Sequence, residues 1–219
     1  MREVEIEPSL YAADFLRLGE QIDGLLRAGA RIFHVDVGDG KFIPPVTIGP
    51  VVVQAIAPIV HAGGGRLDCH LMVDDPTEQL RLIAASGGDS VTFHVEAVDD
   101  PAVVVALGRE LGLGVGVAFN PGTDVEQAAA ALDGADLALL MSVHPGYSGQ
   151  KFIPESLERL RRLRALVGPE MLVQVDGGIG DGNVRAVRDA GADLIVAGSA
   201  IFHQDDVPGA YAGLVRALA

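Results

Sequence analysis

The sequence predicts an α/β protein built as a single (β/α)8 (TIM) barrel. Two observations carry that expectation. Eight short β-branched runs alternate with longer helical patterns from one end of the 219 residues to the other, a count and length that match a closed eight-unit barrel near its lower size limit. Polar residues also cluster where six of the predicted strands end. On an open doubly wound sheet those ends lie too far apart to share one site, whereas a closed barrel gathers them around one axis.

In chain order the predicted strands are 4–6, 31–35, 66–69, 90–93, 114–119, 137–141, 171–175 and 194–197. Between the first two, Asp14 to Arg27 reads as a helix with Phe15, Leu18, Ile22, Leu25 and Leu26 on one stripe. Pro76-Thr77 and Pro154-Glu155 open later helices, since proline suits a first helical turn. Ala28-Gly29-Ala30 and Ala190-Gly191-Ala192 close two others before the next strand begins. No linker or compositional break interrupts the series, so residues 1–219 are expected to form one catalytic domain.

Composition narrows the function. The net charge of −14 and the absence of Trp argue against nucleic acid as a partner. The longest apolar runs are far too short to span a bilayer, and the amino end lacks a basic, apolar leader. One cysteine, Cys69, excludes an internal disulfide framework and fits a reducing cytoplasm. An anionic substrate is then held by local backbone dipoles or a metal, against the global field.

The chemistry centres on His34 and Asp36 in Phe33-His34-Val35-Asp36, His70 in Asp68-Cys69-His70, and Asp176 in Val175-Asp176-Gly177-Gly178. His34 and Asp36 are two apart, so on a strand both face the same side. Imidazole and carboxylate together suit a borderline divalent cation such as zinc or ferrous iron. Asp36 and Asp176 also form a pair of carboxylate bases able to face one substrate carbon. Cys69 alternates with His70 and is expected as a buried, inert thiol against the helices. His61 and His203 read as surface residues without partners, and His94, ending the fourth strand, as a supporting residue and not a ligand.

Three glycine-rich turns follow the last three strands: Pro145-Gly146-Tyr147-Ser148-Gly149-Gln150, Asp176-Gly177-Gly178 and Ala197-Gly198-Ser199. Glycine lets backbone N–H groups approach an anion, and the loops after strands seven and eight hold phosphate in many barrels. No nucleoside-triphosphate loop is present.

The ordered motifs Pro8-Ser9-Leu10, His34-Val35-Asp36-Val37, Asp39-Gly40-Lys41-Phe42, His70-Leu71-Met72-Val73, Asn120-Pro121-Gly122-Thr123, Met141-Ser142-Val143, Val175-Asp176-Gly177-Gly178 and Ala197-Gly198-Ser199-Ala200 closely resemble the ribulose-phosphate 3-epimerase family over essentially the whole chain. The resemblance implies a (β/α)8 barrel that interconverts D-ribulose 5-phosphate and D-xylulose 5-phosphate with one divalent metal, zinc foremost, with Fe(II), Mn or Co as substitutes. It makes His34, Asp36, His70 and Asp176 the metal ligands and Asp36 and Asp176 the acid–base pair. Ser9 and His70 would touch the sugar, and Met72 and Met141 would cap it. Gly146, Tyr147, Ser148, Gly149, Gly177, Gly178, Gly198 and Ser199 would hold the substrate and its phosphate. Inverting a carbon beside a carbonyl through an enediolate needs a base on each face, which agrees with two aspartates. Family members are commonly homo-oligomers, dimers or hexamers, and the implied setting is cytoplasmic carbohydrate metabolism of the pentose phosphate type.

The chain departs from the family pattern at five places: Gly38 for a usual methionine, Pro45 and His144 for asparagine, Ser148 for glycine and Ala12 for serine. Gly38 and His144 are expected to enlarge or re-polarise the pocket. Two alternatives remain open: a 3-epimerase for another ketose phosphate such as allulose 6-phosphate, and a non-catalytic sugar-phosphate binding protein.

Overall fold

The computed structural model describes residues 4–218. Eight parallel strands form one sheet: β1 (Glu5–Pro8), β2 (Ile32–Gly38), β3 (Arg66–Met72), β4 (Ser90–His94), β5 (Gly114–Phe119), β6 (Leu137–Met141), β7 (Leu172–Asp176) and β8 (Leu194–Ala197). The hydrogen-bonded order runs from β1 through β8, β7, β6, β5, β4 and β3 to β2, and a parallel bridge between Ser9 and His34 joins the two ends. The result is the expected (β/α)8 barrel, with the β1–β2 seam as its thinnest joint.

The surrounding helices are α1 (Leu18–Arg27), α2 (Pro50–Ala62), α3 (Pro76–Ser86), α4 (Pro101–Glu110), α5 (Val125–Ala130), α6 (Ser156–Val167), α7 (Val184–Asp189), α8 (Ser199–Phe202) and α9 (Val207–Leu218). Local chemistry starts several of them. Asp75, Asp100 and Asp124 each accept from a backbone N–H of the first turn, satisfying a donor the helix itself leaves orphaned. Pro76 and Pro101 occupy the first turn, where no N–H is missed. The helical stripe expected from Asp14 divides in two: Asp14 caps a short 3-10 turn at Phe15–Arg17, and α1 proper begins at Leu18. Outward-facing strand residues such as Phe33, Val35, Leu67, Cys69 and Leu71 are fully buried beneath the helices. Cys69 is a free, buried thiol held neutral by burial, as its alternation with His70 required.

Strands β2 and β3 run beyond their expected ends, because their register pairs Ile32 with Arg66 through to Gly38 with Met72. His34, Asp36 and His70 therefore lie within strands instead of at their tips. This rigid placement fixes their side chains in the barrel's interior. Below them the interior is also polar. Glu7 and Gln174 are completely buried and Asp68 nearly so, and the Gln174 amide donates to Glu7 Oε2 at 2.6 Å and to Asp68 Oδ2 at 2.9 Å. Burial raises the Glu7 carboxyl to about 7 from an ordinary 4.5, so the folded protein holds it largely protonated below neutrality.

A carboxyl whose value is raised on folding opposes the fold once the unfolded chain ionises. The penalty is absent below pH 4.5 and grows as pH rises towards 7. Glu7→Gln keeps the hydrogen bond without the ionisable proton. It should gain on the wild type by about 3 kcal/mol between pH 4.5 and pH 8, measured by urea denaturation at both values.

Candidate active site

Four side chains from three strands converge at the carboxyl mouth. One donor atom from each of His34, Asp36, His70 and Asp176 lies within 4.8 Å of every other. Asp36 sits at the centre: its Oδ1 is 3.4 Å from His34 Nε2 and 3.4 Å from His70 Nδ1, while its Oδ2 accepts from the Ser9 hydroxyl at 2.6 Å. Asp176 Oδ2 lies 3.8 Å from His70 Nδ1. The structure thus brings together the four residues that the sequence singled out, although by strand interiors for three of them.

The far sides of the two imidazoles are held. His34 Nδ1 pairs with Asp68 Oδ2 at 3.2 Å; His70 Nε2 pairs with His94 Nε2 at 2.9 Å. The near sides are not. His34 Nε2 and His70 Nδ1 are buried and without a hydrogen-bond partner, and both face the two aspartates. Two buried ring nitrogens beside two carboxylates, once free of protons, are the donor set a tetrahedral or five-coordinate cation accepts. The residues present fit a divalent metal.

Electrostatics split the two carboxyls. Burial opposes ionisation of Asp36, but the two imidazoles against it outweigh that and hold it far below its usual range. Burial, reinforced by the charge of Asp36, raises Asp176 to about 7. Burial likewise opposes charge on His34, yet Asp36, Asp68 and Glu7 prevail and raise it well above its ordinary value. An imidazolium at that position answers a local excess of negative charge in a dry interior.

Above the cluster a cavity is lined by Ser9, Tyr11, Asp36, Met72, Met141 and Asp176, then by the turns containing Gly146 to Gln150, Gly177-Gly178 and Gly198-Ser199. All three expected glycine turns reach it. Gly178 adopts φ +66°, and a Cβ there would collide with the Phe152 backbone; the cavity wall closes only with glycine. Of the five departures, Ser148 lines the cavity. Gly38 and His144 do not, contrary to expectation. The space beside Gly38 is taken by the buried Ile43, whose Cδ1 would be 2.6 Å from a Cβ at residue 38. His144 is exposed, and only its carbonyl is engaged, by the Gln150 amide at 2.6 Å.

Several members of the site were not singled out. Asp68 lies two residues before His70, so strand alternation alone places it inward. Glu7 and Gln174 face inward by the same rule. Glu96, beyond the end of β4, carries no such signal. His61 is exposed as expected but does have a partner, Asp89 Oδ2 at 2.9 Å.

A barrel with a histidine–aspartate cluster under a glycine-walled cavity has the layout of an enzyme active site. The model of the ribulose-phosphate 3 epimerase family matches residues 5–202. Ribulose-phosphate 3-epimerase from Synechocystis sp. is 41% identical over 218 residues, covering 97% of this chain and 94% of that protein. The enzyme of the same name from Escherichia coli is 40% identical over 209 residues, covering 94% and 92%. The chain belongs to the ribulose-phosphate 3-epimerase family. Solved structures share the barrel at much lower identity. 3-Hexulose-6-phosphate synthase from Salmonella typhimurium superposes with a TM-score of 0.74 at 20% identity, covering 98% of each chain. Thiamine phosphate pyrophosphorylase from Pyrococcus furiosus gives 0.69 at 19%, covering 99% and 95%.

Gly178→Ala should destabilise the protein by roughly 2 kcal/mol or more, since it adds strain at a positive φ to a backbone collision. A shift in the urea midpoint without a change in slope checks this.

Proposed function

We propose that this chain is a metal-dependent 3-epimerase interconverting D-ribulose 5-phosphate and D-xylulose 5-phosphate by two-base proton transfer. The observation that carries the reading is the pair of buried, partnerless nitrogens, His34 Nε2 and His70 Nδ1, facing Asp36 and Asp176. His34, Asp36, His70 and Asp176 would hold the metal. Bound there, a divalent cation supplies positive charge for the ketose C2 carbonyl oxygen as the neighbouring C–H bond is broken.

The remaining work falls to side chains. One carboxyl held ionised and its neighbour held protonated form a complementary base and acid. Asp36 takes the C3 proton on one face of the sugar, and Asp176 returns a proton on the other; the reverse reaction exchanges the roles, so no proton is gained or lost overall. The Ser9 hydroxyl donates to Asp36 Oδ2 and so fixes the orientation of the carboxylate. Met72 and Met141, both buried, line the cavity beside the reacting carbon and keep water from it. The backbone N–H groups of the Gly177-Gly178 and Gly198-Ser199 turns, with the Ser148 hydroxyl, receive the phosphate.

Metal removal and return test the reading directly. Chelation should abolish turnover of D-ribulose 5-phosphate, and zinc, manganese or ferrous iron should restore it. Tight binding of the sugar phosphate with no turnover under any metal would instead favour a binding protein. A panel including allulose 6-phosphate identifies the preferred ketose. Asp36→Asn and Asp176→Asn should each lower kcat by on the order of several powers of ten, because each removes a base and a ligand together. Near-normal rates in either would overturn the mechanism.

Metal uptake should also release between one and two protons per site near neutral pH, since a cation displaces the proton that the carboxylates hold on His34 and the part of a proton still on Asp176. Calorimetry in buffers of different ionisation enthalpy measures that number. Release of less than one proton would mean that His34 is not a ligand.

A further inference from the structure

Two polar groups take no part in the reading above: the buried His94, the last residue of β4, and Glu96, two residues on at the surface end of the same segment. Glu96 Oε1 accepts from the Asn120 backbone N–H at 2.8 Å and from the Thr123 hydroxyl. Its Oε2 lies 3.1 Å from His94 Nδ1. His94 Nε2 in turn lies 2.9 Å from His70 Nε2. The rings of His70 and His94 are stacked, with centroids 5.0 Å apart and planes inclined by 25°. Phe42 packs on His94, 4.7 Å between centroids. Arg159 Nη2 donates to the carbonyls of Asn120 and Thr123 at 3.0 and 2.7 Å, so the loop that grips Glu96 is itself pinned.

We propose that Glu96 and His94 are positioning residues that decide which nitrogen of His70 carries its proton, and so keep His70 Nδ1 an open lone pair facing the cation site. The inference rests on the metal-site reading above and deepens it.

The argument follows donors and acceptors one at a time. A carboxylate only accepts, so the proton between Glu96 and His94 sits on His94 Nδ1. A neutral imidazole has one N–H, which leaves His94 Nε2 as an acceptor. The 2.9 Å contact then requires His70 to donate from Nε2. His70 Nδ1 is left bare, 3.4 Å from Asp36 Oδ1 and 3.8 Å from Asp176 Oδ2, and it is the atom without a protein partner. The outer nitrogen of His34 is held by a carboxylate directly, Asp68 on its Nδ1. For His70 the carboxylate stands one ring further away and acts through His94. Were His94 merely filling space beneath Phe42, neither the ordered spacing of four polar atoms nor the two donors on Glu96 Oε1 would be needed.

Glu96→Gln reads the relay without changing shape. The Asn120 N–H demands an acceptor at Oε1, so the new amide oxygen takes that place and its NH2 turns to His94 Nδ1. His94 must then carry its proton on Nε2, His70 must accept there, and the His70 proton moves to Nδ1, into the cation site. In the full-length metal-free protein, two-bond 15N–1H spectra of the histidines should show wild-type His70 protonated on Nε2 and His94 on Nδ1, and both reversed in Glu96→Gln. Zinc affinity, measured by competition with a chromophoric chelator, should fall about ten- to a hundredfold. The urea midpoint of the metal-free protein should not move. Thr123→Val, which removes one donor to Glu96 and leaves the carboxylate, should keep the wild-type tautomers and lose less affinity.

Wild-type spectra with the opposite tautomers overturn the proposal even if Glu96→Gln does not fold. So does an affinity loss in Glu96→Gln that comes with unchanged tautomers and a lowered metal-free midpoint, which marks a purely structural role. Wild-type protein that binds zinc no better than Glu96→Gln, while binding it well, overturns this inference alone. Wild-type protein that fails to bind zinc overturns the metal site and this inference together.

Discussion

Asp36 sits between two imidazoles in the barrel's interior, and most of the polar architecture serves that contact. A carboxylate taken out of water is costly unless opposite charge and hydrogen bonds surround it. Here His34 and His70 flank one oxygen, and Ser9 occupies the other. Each imidazole then needs its outer nitrogen held, which brings in Asp68 and His94. Asp68 needs donors, and Gln174 and Ser90 supply them. The chain of requirements ends only where Glu7 stays largely protonated and Glu96 meets the loop after β5. What is left unmet is confined to a few atoms, and two of them, His34 Nε2 and His70 Nδ1, point at the same place.

Much of this was legible in the chain. Eight alternating units and polar residues at strand ends specify a closed barrel, and the two-residue spacing of His34 and Asp36 puts both on one face. Three strands, β5, β6 and β8, fall where the sequence puts them. The strands holding the site were misjudged in length. Polar His34, Asp36 and His70 look like strand ends, yet parallel pairing carries β2 and β3 on to Gly38 and Met72. Gly38 misled for a related reason: the sequence shows a missing side chain, but not that Ile43 folds back to fill the gap. Glu96 was invisible because its partners, Asn120 and Thr123, are supplied by the next strand's loop, a proximity created by the pairing of β4 with β5.

Barrels at about a fifth identity share this frame, which places the specific chemistry in the inward residues and the mouth turns instead of in the scaffold. In this chain, Ser148 is the departure that reaches the cavity. It adds a hydroxyl where the family leaves only backbone, on the turn expected to meet the phosphate. A change on that turn alters the cavity wall and leaves the contacts around Asp36 as they are.

The joint between β1 and β2 has a mechanical meaning. One bridge, Ser9 with His34, closes the ring there, and the same two residues flank Asp36. Elsewhere neighbouring strands are stitched over three to seven paired positions. Thermal breathing of the ring should thus begin at its weakest stitch, which is also where Asp36 is held. Warming should silence the protein while its far wall, from β3 to β7, still stands.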